Sequence, residues 1–202
     1  YIPSDELLDI STDTTNNTIT YLGRFEIRKG IINLIKAVPI VLKKHSQVKF
    51  KFIGSSVYSE EYGDIKLYIQ NKLKPFEQQI EFAQVPLSQI PKVLSETDVC
   101  VFPSIWENFP NVCLEAMSAG RAIVDSKNGG MKDMLETTNA GLLVDPEKPA
   151  EIAAAIIRFI EDHQLRRDKG KAARKRIVSS YNEQEIGSLM EKRYSGAVSG
   201  IN

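Results

Sequence analysis

Two glutamates, Glu107 and Glu115, stand with seven residues between them around the start of a predicted short helix. Helical side chains lean toward the helix N-terminus, so a carboxylate at Glu115 points back to the preceding loop. There it accepts hydrogen bonds from vicinal hydroxyls such as those of a ribose. Glu107 lies before the helix and is free to meet a second hydroxylated ring. The unpaired N–H groups near Phe109, Asn111 and Val112, with the helix dipole behind them, favour an anionic or hydroxyl-bearing ligand, and Pro110 removes one donor from that set. Two cations stand upstream, Arg24 after Gly23 and Lys29 before Gly30. An arginine fork with a lysine point charge suits a diphosphate. Either glutamate alone is as well explained as an acid stabilising a helix start. The pair together with the cations points to a ligand carrying both sugar and phosphate.

Something must bring positions 24 and 107 to one place. Residues 99–102 are an apolar run, the most apolar strand of the chain and hence a central one. Five further strands are predicted, at residues 18–22, 48–53, 79–82, 122–125 and 141–144. Helical stripes lie between and after them at 31–44, 62–73, 87–95, 111–119, 131–137, 149–162 and 164–181. Pro39 is expected to kink the first of these, and Gly120 closes the helix that carries Glu115. Strands alternating with helices imply a three-layer α/β fold: a doubly wound parallel sheet of six strands with helices on both faces. Ligands of such sheets bind beyond the carboxyl ends of the strands. Arg24, Gly54, Gln84, Ser104 and Ser126 all follow strands and should share that rim. The glycine pair at Gly129 and Gly130 offers a second place for close backbone approach.

The bulk properties exclude several classes. The 202 residues, 42% hydrophobic and 26% charged, suit a soluble domain. Basic and acidic residues number 26 each, so no global field draws in nucleic acid or an anionic membrane. No apolar run approaches the ~20 residues of a membrane span, and no signal peptide is visible, which suggests a cytoplasmic protein. Cys100 and Cys113 read as small buried hydrophobes of a reducing compartment. No dinucleotide fingerprint, P-loop or metal-ligand cluster occurs, so neither a bound cofactor nor a metal is expected. His45 and His163 read as exposed and bland, Trp106 as packed under its loop, Arg28 as solvated, and the basic run 166–176 as a solvated face or a contact with a missing neighbour. The chain starts at Tyr1 without Met, which suggests a piece of something longer. Residues 1–17 read as a linker or hinge, 18–182 as the domain, and 183–202 as a last helix and tail.

At this point the residues resemble a known family. They are similar to the C-terminal, nucleotide-sugar-binding domain of family 4 glycosyltransferases, enzymes of two facing Rossmann-like domains in the GT-B architecture. The matching pieces run in order over about residues 18–162: Tyr-Leu-Gly23-Arg24 to Lys29-Gly30, Phe-Ile-Gly54, Ile80-Glu-Phe, the strand leading to Ser104, Glu107-x7-Glu115-Ala-Met-x-Ala-Gly120, Gly129-Gly130, and Ala140 to Pro146. Each piece is common, but the ordered set with the spaced glutamates is specific. The resemblance implies the donor half of a retaining, metal-independent glycosyltransferase. Arg24 and Lys29 would bind the donor diphosphate and offset charge on the departing nucleotide. Glu107 would hold hydroxyls of the donor sugar, and Glu115 the ribose. Backbone around Phe109 to Val112 would touch the sugar or phosphate, and Gln84 and Val85 would sit near the base. Gly23, Gly54, Asn108 and Pro110 complete the implied donor-binding set. The absent N-terminal domain would supply the acceptor site, and any peripheral membrane contact would come only through that half.

Two departures stand out: Pro110 where family members often carry Gly, and Asp133 where they often carry Glu. Three other readings remain open on the residues. One is a stand-alone, non-catalytic nucleotide-sugar-binding module. Another is a sugar-nucleotide epimerase of the same architecture. The third is a carboxylate-pair glycosidase, which leaves Arg24 and Lys29 unexplained.

Overall fold

A computed structural model of the chain describes residues 3–108, 110–135 and 139–180, without the side chains of Met131 and Asp133. The central sheet consists of β1 (Thr18–Leu22), β2 (Lys49–Ile53), β5 (Ile80–Ala83), β6 (Val99–Phe102), β7 (Ala122–Ser126) and β8 (Leu142–Val144). Its order is β5-β2-β1-β6-β7-β8, with every pairing parallel. This is the expected doubly wound six-stranded sheet. The chain moves outward from β1 to one edge, returns to β6 beside β1, and moves to the other edge, so the switch point lies between β1 and β6.

The helices are α1 (Asp5–Leu8), α2 (Ile31–Lys44), α3 (Ile65–Lys72), α4 (Ile90–Ser95), α5 (Asn111–Ser118), α6 (Met131–Leu135), α7 (Pro149–Glu161) and α8 (His163–Ser180). Strand alternation sorts side chains between two cores, one on each sheet face. Ile19, Tyr21, Val99 and Val101 pack with the apolar stripes of α2 and α7. Leu22, Cys100 and Phe102 pack with Cys113, Leu114 and Met117 of α5 and Ala173 and Ile177 of α8. Both cysteines are buried and unpaired, as expected.

Several local expectations are revised. Helix α2 keeps its expected span of 14 residues with Pro39 inside it, and a buried stripe runs from Ile31 to Leu42. Helix α3 begins later than periodicity suggested, because β3 (Tyr58–Ser59) and β4 (Gly63–Asp64) pair antiparallel just before it. Asp64 then caps α3 by accepting the Leu67 N–H at 3.0 Å. Pro91 sits in the first turn of α4, where a missing N–H is harmless. Gly120 ends α5 as expected, with its N–H donating to the Met117 carbonyl and that of Arg121 to Ala116, a Schellman closure. The predicted segment 183–202 lies outside the described residues.

The N-terminal segment read as a linker carries α1 with Leu7 buried, and a row of cations binds it to the domain. Arg121 is 1% exposed and donates to the carbonyls of Ala119 (2.9 Å), Thr97 (2.8 Å) and Ser11 and to the Thr14 hydroxyl. Arg166 donates to the Thr14 carbonyl at 2.6 Å, and Arg174 to the Ser118 and Ile10 carbonyls. Arg166 and Lys169 are buried, which corrects the reading of 166–176 as a solvated face. Arg121, Arg166 and Arg174 donate mainly to main-chain oxygens, Lys169 to the Asn139 side-chain oxygen, and Arg167 pairs with Asp13 at 3.0 Å. His45 is also drawn in, 3.0 Å from Glu161 with its side chain only 16% exposed, whereas His163 is exposed as read.

Candidate functional site

Strand β1 ends at Leu22, and the chain turns over the top of the sheet through Gly23 and Arg24. The Gly23 N–H donates to the Ile53 carbonyl at 2.9 Å. The Tyr21 hydroxyl donates to the Arg24 carbonyl at 2.7 Å and fixes the turn. A 3-10 turn over Ile27–Lys29 then leads to Gly30, whose φ of 72° is left-handed. A Cβ there would lie 1.7 Å from the Pro103 carbonyl oxygen. Gly30→Ala should therefore destabilise the fold by about 2 kcal/mol or more, from left-handed strain plus a backbone clash. Thermal unfolding checks this, and a loss below about 0.5 kcal/mol, the scale of an ordinary surface change, would contradict it.

The loop at residues 103–108, which follows β6, is the counterpart. Neighbours on both sides hold it by main-chain bonds. The Ile105 N–H donates to the Arg28 carbonyl at 2.9 Å, and the Gly130 N–H to the Glu107 carbonyl at 3.1 Å. Asn128 Nδ2 donates to the Ile105 carbonyl at 3.1 Å. The glycine pair thus serves the loop that carries Glu107. Its glycines leave room for that loop, since a Cβ on Gly130 would lie 1.9 Å from the Asn108 carbonyl oxygen.

Between the two loops lies a cleft of about 220 Å³. Gly23, Arg24, Lys29, Pro110, Asn111 and Val112 all line it, together with Tyr21, Leu22, Phe102 and Ser104. Pro110 is the cap residue of α5 and makes no side-chain cap bond, and with Asn111 and Val112 it lines the cleft, so the helix start opens there. Glu107 stands beside it, ion-paired with Lys29 Nζ. Arg24 Nη2 lies 3.0 Å from Glu26 Oε2. Burial pushes the Glu107 carboxyl upward, but the Lys29 hydrogen bond, the Lys29 and Arg28 charges and the Asn108 N–H together hold it below the usual carboxylate range. Glu115, half-buried in the second turn of α5, is raised by burial alone.

The other expected positions lie further out. Gly54 is not part of the lining; its Cα faces the Gly23 carbonyl, where a Cβ would approach to 1.9 Å. Gln84 is exposed and Val85 packs on the α5-side core, both following β5, two strands from β1. Asn108 is exposed beside Glu107. Phe109 and the Asp133 side chain lie outside the described residues. Trp106, read as packed under its loop, is 59% exposed. Arg28, read as solvated, instead reaches Glu107 and the Trp106 carbonyl. Its partners are 78 and 79 residues away, so no local pattern announces them. Tyr21 was legible as a strand residue, but its role in the turn was not.

The thiols carry no evident chemistry. Burial pushes Cys100 up to about 12 despite the opposing Arg121 charge. Cys113 is raised by burial, then by Asp125, to which its Sγ donates at 3.4 Å. Neither is poised as a thiolate. Among the described residues no helix is long and apolar enough to cross a membrane.

Comparison with known proteins places this geometry. An uncharacterized glycosyltransferase of Methanocaldococcus jannaschii is 29% identical over 180 residues, covering 88% of this chain and 44% of its own length. The chain thus spans about half of that relative. Among solved structures, Anabaena HepE in complex with UDP superposes with a TM-score of 0.79 at 23% identity, covering 90% of this chain and 49% of that one. The C-terminal domain of LpcC, a glycosyl transferase group 1 family protein from Francisella tularensis, superposes at 0.75 with 24% identity, covering 91% of this chain and 96% of that domain. The two superpositions establish a shared fold. The model of the family described as glycosyl transferases group 1 matches residues 6–176, from α1 to the last turns of α8, and this chain belongs to that family.

Proposed function

We propose that this chain is the donor-binding half of a glycosyltransferase. The enzyme would move a sugar from a nucleotide-diphosphate sugar to an acceptor, with retention of configuration and without a metal. One observation carries the reading: Arg24, Lys29 and the open first turn of α5 line one cleft, with the Glu107 carboxylate at the Lys29 ammonium. In transfer, the bond between the sugar's anomeric carbon and the diphosphate oxygen breaks with its electron pair staying on the diphosphate, an acceptor hydroxyl oxygen bonds to that carbon, and the hydroxyl's proton passes to the departing diphosphate. Two cations fixed where that charge develops lower the barrier. Glu107 would hold hydroxyls of the departing sugar and Glu115 those of the ribose. That the Anabaena protein sharing this fold was solved in complex with UDP is in keeping with a nucleotide ligand. A second domain of the same protein would close the cleft and supply the acceptor site.

Titration of isotope-labelled protein with UDP, GDP and ADP and with their sugars tests the proposal by NMR. Shifts are expected at residues 23–29 and 107–115, with Kd in the millimolar to high-micromolar range, about −4 to −6 kcal/mol. A cleft lacking its second wall leaves the charges screened by water. If no nucleotide moved either region, the proposal would fail.

A further inference from the structure

Arg28 precedes Lys29, and its side chain spans the two loops that build the cleft. Its Nη1 donates to the Trp106 carbonyl at 3.1 Å and lies 3.5 Å from Glu107 Oε2. Its Nε lies 3.4 Å from Glu26 Oε1. The same Glu107 oxygen is bound by Lys29 Nζ. One carboxylate oxygen therefore has two cations on it, and of these only Lys29 lines the cleft with Arg24. Arg28 is not among the residues lining the cleft and instead lines a separate groove with Glu26, Ile27 and Ile105.

The two cations differ in how they are held. Lysine is a compact charge on a flexible stem, whereas a guanidinium presents a rigid planar fork. Arg28 is pinned by Glu26 and by the Trp106 carbonyl, and its own carbonyl is pinned by the Ile105 N–H. A diphosphate in the cleft competes with Glu107 for the Lys29 ammonium, and its greater charge wins that competition. Glu107 would then be left with only the Asn108 N–H and whatever cation stays behind.

The geometry points to a handover, resting on the function proposed above: Lys29 turns from Glu107 to the diphosphate when the donor enters, and Arg28 keeps the Glu107 carboxylate anionic and in place for the sugar hydroxyls. Arg28 is a positioning residue that acts through Glu107. The groups facing Glu107 are Lys29, Arg28, the Asn108 N–H and, deeper, the buried Asp125, whose carboxyl burial and the Glu107 charge hold above the usual range while its bonds from Ser126 and Cys113 pull the other way. An ionised Glu107 without either cation would sit near that acid unopposed.

The test compares wild type with Arg28→Ala in paired titrations: UDP with UDP-glucose, GDP with GDP-mannose, and ADP with ADP-glucose. Arg28→Ala is expected to raise Kd for the nucleotide sugar about tenfold, the scale of one charge-assisted hydrogen bond. Kd for the matching nucleoside diphosphate should change less than about twofold. Equal weakening of both would mean that Arg28 merely supports the loop, and no change in either would leave it without a role; both outcomes overturn the inference. A second readout is the carboxyl 13C titration of Glu107 in protein saturated with the nucleoside diphosphate. The Glu107 carboxyl should titrate at lower pH in wild type than in Arg28→Ala, because the Arg28 charge favours the carboxylate. Coincident curves would overturn the handover. A wild type that binds none of the six nucleotides defeats the proposed function itself, and the inference with it.

Discussion

Arg121→Met is expected to destabilise the domain by about 3–5 kcal/mol, more than any other single change considered for this chain. The arginine is 1% exposed and binds three carbonyls and a hydroxyl from three separate segments, residues 11–14, Thr97 and Ala119. Methionine fills much of its volume but donates nothing, so the carbonyls of the buried Thr97 and Ala119 lose their donor. Burial pulls the guanidinium down to about 10, and the Arg174 and Arg166 charges lower it while Cys100 and Asp98 raise it. It therefore remains charged at neutral pH, and its net worth lies in the oxygens it satisfies. Thermal unfolding should show a fall of about 10 °C for a domain of this size. A fall below 3 °C at neutral pH would show that the strap around the N-terminal segment contributes little.

The second large effect is on binding. Lys29→Gln should weaken nucleoside diphosphate binding about tenfold, and Lys29→Glu about 100-fold or more, beyond detection for a millimolar ligand. The graded series separates loss of a donor from reversal of charge, and two variants with equal, small losses would remove Lys29 from the diphosphate site. The glutamine variant has a pH signature as well. In the wild type Glu107 titrates below its ordinary range, so it contributes stability above the unfolded carboxylate pKa and loses it as pH falls through the folded one. Without the Lys29 charge, burial is opposed mainly by Arg28, and the folded pKa moves up. The variant should be less stable than wild type at neutral pH. The gap should close as pH falls through the lowered folded pKa of the wild type, below which the carboxylate is protonated in both. A gap constant across that range would mean that the Lys29–Glu107 pair adds nothing to the fold.

What the sequence by itself determined was local in origin. The apolar run of β6 marked a central strand, alternation of strands with helical stripes implied a parallel sheet, and Gly120 marked where α5 ends. Right-handed crossovers and a switch point then brought Gly23, Arg24 and Lys29 to one rim with residues 110–112, because few topologies can join such elements. Only the tertiary structure decided which cation meets which oxygen. Arg28 reaches Glu107 across 79 residues of chain, and Arg121 reaches Ser11 across 110. A charged residue has the same local pattern whether solvated or buried. What separates the two is the neighbour that folding supplies, here a main-chain carbonyl left unpaired by a loop. Trp106 stands out in solvent while the main-chain oxygens of its loop are held by Arg28, Asn128 and Gly130, contacts that no local pattern of the sequence announces.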